Sequence, residues 1–334
     1  MSLYSEYLRR YGGLIGCLEH ARSCGRLAHA FLIHSPDARV RREFAAVVMQ
    51  IAGCRNARNG RPDTTCRFCS QVENQLYADC HTISPVGKMY QIKVGDRINP
   101  EPNTLRDMLD HLGYTSGTHR KFGVIEDADR MGVEAQNALL KTLEEPPPET
   151  TIILESANPG ALLPTTRSRC QLLELPDNRF RFEFNGFDTV RQALYDLCFT
   201  CGCDLVKVEQ AAAEAETEFA AGMTAAVQSE DAAFIKRMEA RRNDAASGAY
   251  MRERREFIAA VTTFCAQIFL LAQGVSPADL PNPEMFEHLA IPAAIPPERA
   301  GRILKEAEDL EYTLRFNVNP DLALRTFAVN AAMN

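Results

Sequence analysis

The stretch SPDARVRREFA, residues 35–45, stands where a phosphate-binding loop would do its chemistry. It follows the apolar run 30–33 (AFLI) and precedes a helical alternation, the strand–loop–helix setting of a nucleotide-binding fold. A working loop reads Gly-x-x-x-x-Gly-Lys-Ser/Thr. Its glycines let the backbone approach the phosphates, its lysine reaches them, and its hydroxyl holds Mg²⁺. Those positions here are Ser35, Val40, Arg41 and Arg42. The β-branched Val40 crowds the approach that glycine permits. Arg41 keeps the charge but carries it on a planar fork, and Arg42 has no hydroxyl. These residues predict a scaffold of the NTPase type that has stopped hydrolysing nucleotide.

Three further groups could carry chemistry. The first is Glu126-Asp127-Ala128-Asp129, at the end of a predicted strand where an active enzyme keeps a metal-binding Asp and a water-orienting Glu. It reads either as a retained metal site or as a remnant that caps the next helix or pairs with Arg130. The second is Arg167-Ser168-Arg169-Cys170, in a loop before a strand. Its arginine is either a surface ion-pair partner or a group that reaches a neighbouring subunit and neutralises charge on a transferring phosphoryl group. A finger of that kind is worth roughly three to five powers of ten in rate. The third is Cys54-x₁₁-Cys66-x₂-Cys69-x₁₀-Cys80, in a polar stretch. The Cys66/Cys69 pair has zinc-knuckle spacing, and Cys54 and Cys80, or His81 in place of the latter, would complete a tetrahedral set. The competing reading is a degenerate site with free or partly buried thiols.

The elements needed to position these groups follow from periodicity. Strands are predicted at residues 30–33, 81–84, 121–131 with an acidic end, 151–154 and 170–175. Helices are predicted over 14–27, from the altered loop to about 51, over 104–112 and over 134–143, where three prolines stop the chain. Strands alternating with helices imply a mostly parallel three-layered α/β sheet. Beyond Pro176 the strand signals stop and the chain reads as helical, with a proline-rich loop over 277–297. The apolar content of 46% is enough for more than one core. A net charge of −7 argues against a protein that coats DNA by itself. No apolar run is expected to span a membrane, and the first ten residues lack a signal-peptide pattern.

Five segments carry a resemblance: 27–33 (LAHAFLI), 121–131 (KFGVIEDADRM), 135–148 (AQNALLKTLEEPPP), 162–171 (LLPTTRSRCQ) and 314–324 (LRFNVNPDLAL). On these the chain resembles the delta-prime family of bacterial DNA polymerase III clamp-loader subunits, within the AAA+ group. The resemblance implies an AAA+ core over 1–176 with a cysteine-rich insertion at 54–81 for a structural zinc. A helical lid would span 177–225 and a helical collar 226–334. It implies a member that neither binds nor turns over ATP and that offers Arg169 in trans, with Ser168 and Cys170 shaping its loop. The implied partners are tau/gamma-type ATPase subunits and a delta subunit in a hetero-pentamer. Through that complex it would meet the sliding clamp and primer–template DNA, in the cytoplasm and with no membrane. Asn317, Asn319 and Pro320 would belong to the collar.

Two departures from the family pattern stand out. The family's cysteine module usually runs Cys-x₈-Cys-x₂-Cys-x₂-Cys, whereas Val72 stands here in the fourth place. At the sensor position after the fourth strand the chain has Glu155, which would oppose bound phosphate if it points inward. The alternatives are an autonomous AAA+ ATPase with a degenerate loop and a purely structural scaffold.

Overall fold

The computed structural model describes residues 2–87, 89–96, 101–114, 120–175, 187–200, 232–286, 289, 295–314 and 320–332. The chain divides into two compact units, Met1–Asn178 and Arg179–Asn334.

The first unit is built on five parallel strands: β1 (Ala30–His34), β2 (Cys80–Ile83), β3 (Lys121–Ile125), β4 (Thr150–Ser156) and β5 (Gln171–Glu174). Their order is β2-β3-β4-β1-β5. β1 therefore sits between β4 and β5, with Ile33 beside Glu155 and Leu32 beside Leu172. The central strands are buried along almost their whole length, which is why β1 and β4 read as near-continuous apolar runs.

Successive side chains point to opposite faces of the sheet. Phe31 and Ile33 share one core with Phe122, Val124 and Ile153 of the sheet and with helices α1 (Leu3–Arg10), α2 (Gly12–Ser23) and α3 (Ala38–Gly53). Ala30 and Leu32 share the other core with Ile125, Ile152 and Leu154 and with helices α5 (Leu105–Gly113) and α6 (Val133–Glu144). The result is the three-layered α/β core expected of the chain. α5 presents Leu105, Met108 and Leu112 inward, and the Thr104 hydroxyl caps its start by accepting from the Asp107 N–H. Gly123 in β3 lets that helix close in, since a Cβ there would lie 2.8 Å from Leu112 Cδ1. A short helix, α4 (Arg67–Glu73), follows Cys66, and a single turn, α7 (Pro164–Arg167), precedes β5.

The described elements of the second unit include four α-helices: α8 (Phe187–Tyr195), α9 (Ala232–Ala272), α10 (Pro297–Leu314) and α11 (Pro320–Ala332). Short 3₁₀ turns at Pro277–Asp279 and Pro283–Phe286 lie in the proline-rich connection. One stretch corrects the sequence reading. Arg254–Ala272 reaches the length and hydropathy of a membrane span, at 19 residues with mean hydropathy 1.4. Its Ile258, Val261, Phe264, Cys265 and Ile268 are buried with Ile303, Leu310 and Phe327, so helix packing accounts for their apolar character. The expected lid–collar boundary at 225/226 falls outside the described residues, as do Asn317 and Asn319. Pro320 opens α11.

Candidate functional site

Because the ladders are parallel, the carboxyl ends of β1, β3 and β4 lie side by side, and the residues following them converge. The connection after β1 is short: Ser35, Pro36 and Asp37, with α3 beginning at Ala38. Asp37 is the N-cap. Its Oδ1 accepts from the backbone N–H groups of Arg39 at 2.8 Å and Val40 at 3.3 Å. Free N–H groups at a helix start are what an anionic ligand would use, and the chain's own carboxylate takes two of them. Val40 packs into the core beneath.

Arg41 turns inward and is 2% exposed. Its Nη1 donates to the carbonyls of Ser35 at 2.6 Å and Pro36 at 3.1 Å, and its Nη2 donates to Asp127 Oδ1 at 2.6 Å. The second oxygen of Asp127 accepts from the Tyr90 hydroxyl at 2.6 Å. A turn closed by the Val86–Gln91 bridge delivers Tyr90, and the Ile92 N–H holds that turn to the Arg130 carbonyl. Asp127 adopts the left-handed backbone region with φ 45°, which Asp tolerates better than most residues. Arg41 and Tyr90 thus engage both oxygens of the carboxylate that ends β3.

Glu155, at the end of β4, is buried beside this pair. Burial first, then the nearby Glu126 and Asp127 carboxylates, raise its carboxyl to about 8 against the opposing pull of Arg41 and Arg42. Arg42 itself is half-buried. Asp129 accepts from the Ser156 hydroxyl at 2.8 Å and lies 3.5 Å from Arg130. Of the two remnant readings of the acidic cluster, pairing with Arg130 therefore falls to Asp129, and α6 starts without a side-chain cap.

Arg169 lies between α7 and β5 with its side chain one-third exposed. Its Nε donates to Glu144 Oε1 at 2.8 Å, its Nη2 donates to the same oxygen, and its Nη1 donates to the Thr165 carbonyl at 2.8 Å. Ser168 Oγ also donates to the Thr165 carbonyl. Cys170 packs against the second core, and burial pushes its thiol up to about 12. Gln136 of α6 holds the segment from below. Its Oε1 accepts from the Leu163 N–H and the Thr166 hydroxyl while its Nε2 donates to the Met131 carbonyl.

The thiols of Cys54, Cys66 and Cys69 lie within 4.8 Å of one another. Cys66 is the N-cap of α4, which places Cys69 one turn along the same face. Burial, then hydrogen bonding to Cys66, raises the Cys69 thiol well above its usual range. Neither Cys80 nor His81 belongs to this group, which corrects the expected fourth ligand. Cys80 pairs with Phe122 as the first residue of β2, where burial pushes its thiol up to about 11. His81 stacks on His111 with ring centroids 3.9 Å apart, and burial and that neighbour lower its pKa. Val72, another turn beyond Cys69, is core. Three soft thiol donors could supply three of the four positions around a tetrahedral zinc ion.

Comparison with known proteins rests on the same unit. The family model described as "DNA polymerase III, delta subunit" matches residues 13–179, half of the chain. The chain belongs to the DNA polymerase III delta-subunit family. It is 32% identical over 151 residues to DNA polymerase III subunit delta′ of Bacillus subtilis, covering 44% of this chain and 42% of that one. Against subunit delta′ of Pseudomonas aeruginosa it is 31% identical over 144 residues, covering 43% of this chain and 42% of the relative. Subunit tau of Escherichia coli is 27% identical over 158 residues, 47% of this chain and 23% of that protein. The matched region thus spans about two fifths of the delta′ relatives' length. The family match falls almost entirely on the first compact unit, which carries Arg41, Arg169 and the cysteine group.

Four residues at these sites went unread in the sequence: Asp37, Tyr90, Gln136 and Glu144. An Asp just before a helical run is an N-cap signal and could have been found. Tyr90 lies in a stretch without periodicity and carried no signal. Gln136 and Glu144 were visible only as members of the helix over 134–143 and its charged end.

Proposed function

We propose that this chain is a cytoplasmic subunit of the DNA polymerase III clamp loader. It does not hydrolyse nucleotide itself and supplies Arg169 to the ATP site of a neighbouring subunit. Family membership supports the clamp-loader role. The observation that carries the non-hydrolysing part is the Arg41–Asp127 pair with its Tyr90 partner. A nucleotide would have to displace Asp37 from the helix amides and break a buried ion pair. Each of those steps is unfavourable. Arg169, by contrast, is reachable and firmly held, as a group acting on another subunit's ligand must be.

In this reading tau/gamma-type ATPase subunits and a delta subunit complete a hetero-pentamer. ATP binding at the neighbour's site draws Arg169 toward the γ-phosphoryl group, where its fixed charge offsets charge developing in the transition state. Hydrolysis then releases the sliding clamp on primer–template DNA. Any DNA contact of the complex is to backbone, because loading acts at any primer. The test is a loader reconstituted with clamp and primed DNA, comparing Arg169→Ala with wild type. A fall of at least about tenfold in stimulated hydrolysis, about 1.4 kcal/mol of transition-state stabilisation, is expected with assembly intact. Unchanged hydrolysis in an intact complex leaves the structural-scaffold reading. ATP bound and turned over by the isolated chain would instead favour the autonomous ATPase.

The cysteine group enters the same proposal as a structural zinc site held by Cys54, Cys66 and Cys69, its role being to fix a polar insertion too small for its own core. Metal analysis of the purified chain should give about one zinc per chain and lose it in Cys69→Ser. A metal-free wild type with an unchanged melting profile would rule the site out.

A further inference from the structure

A guanidinium has three edges that donate hydrogen bonds, and the structure fixes what two of them do at Arg169. The side edge, formed by Nε and Nη2, closes on one oxygen of Glu144, and Nη1 donates to the Thr165 carbonyl. Among the described residues this leaves one N–H on each of Nη1 and Nη2 without a partner, and the end edge lies between those two nitrogens. That edge is the one suited to a bidentate grip on a phosphoryl group. The contacts on the other two edges set the direction in which it points.

Glu144 is an odd residue for its own helix. It is the last residue of α6, where a carboxylate meets the negative end of the helix dipole. Helix stability therefore does not explain it, whereas the Arg169 contact does. Three prolines follow within four residues, so the chain beyond cannot continue the helix. At the other end of α6, Gln136 holds Leu163 and Thr166 of the arginine-bearing segment. The two side chains are eight residues apart, about 12 Å along the axis, so α6 grips that segment at two points.

We propose that Glu144 is a positioning residue for Arg169, holding the side edge of its guanidinium so that the end edge is presented outward, already oriented, to an anionic phosphoryl ligand on a neighbouring subunit. The inference rests on the trans role proposed above for Arg169. Orientation made in advance lowers the cost of reaching the transition state, so the effect belongs in turnover more than in ATP affinity.

The experiment measures stimulated ATP hydrolysis in the reconstituted loader for four variants: Arg169→Ala, Glu144→Ala, Glu144→Gln and the Arg169→Ala/Glu144→Ala double variant. Glu144→Ala should lower kcat about fivefold or more, with the KM for ATP within about twofold. Glu144→Gln keeps an acceptor oxygen and should recover part of the loss. In the Arg169→Ala background the Glu144→Ala change should add nothing, since Glu144 acts only through that side chain. Glu144 is half-exposed, and a thermal melt of each chain should show folding intact. If Arg169→Ala lowers hydrolysis but Glu144→Ala leaves kcat unchanged, or lowers it equally without Arg169, the positioning role is overturned. A silent Arg169→Ala overturns the trans role itself, and is distinguished by that variant alone.

Discussion

Arg41 and Arg169 carry the same guanidinium into two opposite situations. Arg41 is buried, and its terminal nitrogens point back into the chain, to the Ser35 and Pro36 carbonyls and to Asp127. Arg169 is one-third exposed, and an acid and a carbonyl of the same chain hold it at the surface. A buried charge is tolerable only if paired and hydrogen-bonded, so the surroundings of Arg41 leave it a structural part. A half-exposed charge keeps part of its hydration and can exchange water for a ligand at low cost. Residue type alone predicts neither outcome; the acceptors delivered by neighbouring strands do.

The sharpest way to break this comparison is to truncate each arginine and measure stability. Arg41→Ala takes the guanidinium from Oδ1 of the buried Asp127, and loss of one partner of a buried pair costs about 3–5 kcal/mol. Arg169→Ala removes an exposed pair with Glu144 and should cost less than about 1 kcal/mol. Chemical denaturation of the two variants, following the transition of the first unit, separates them. Equal losses would mean that the two sites do not differ as described.

How much of this was legible in the sequence depended on what holds each element. Strands β1, β3 and β4 are apolar because both faces of the sheet are covered, so composition found β1 and β4 within a residue or two, while the strand begun at Lys121 ends at Ile125 and not at Met131. α5 was visible through Leu105, Met108 and Leu112 on one stripe. α1 was not, because Tyr4 and Tyr7 are its buried residues and polar neighbours interrupt the pattern. α4 has only seven residues, too few for a period to emerge. At the sites, local spacing worked where a turn of helix fixes it, as for Cys66 and Cys69. It failed for Cys80, whose place is set by pairing with Phe122 on another strand. The inward turn of Arg41 was beyond reach for the same reason, since Asp127 lies 86 residues away.

The smaller effect concerns Glu155, the extra acid in the closed pocket. Glu126 and Asp127 face it from the end of β3, and Arg41 and Arg42 face it from α3. Its carboxyl is held up to about 8 in the folded chain, against 4.5 as the ordinary value. Between those two values the folded state binds a proton that the unfolded state has released. The contribution of Glu155 to stability is therefore fully present below about pH 4.5 and is lost as pH rises to about 8. Glu155→Gln keeps the shape without the titration. It should flatten the fall in stability across that window and leave the chain more stable than wild type at pH 8, each unit of pKa difference being worth about 1.4 kcal/mol. Melting temperatures of both chains at pH 5, 6, 7 and 8 would read the difference, with the gap widening toward alkaline pH. Parallel curves would mean that water reaches Glu155 and that the pocket around Arg41 is as open as the surface at Arg169. A widening gap would mean that the pocket is dry, which is the property that makes its arginine structural.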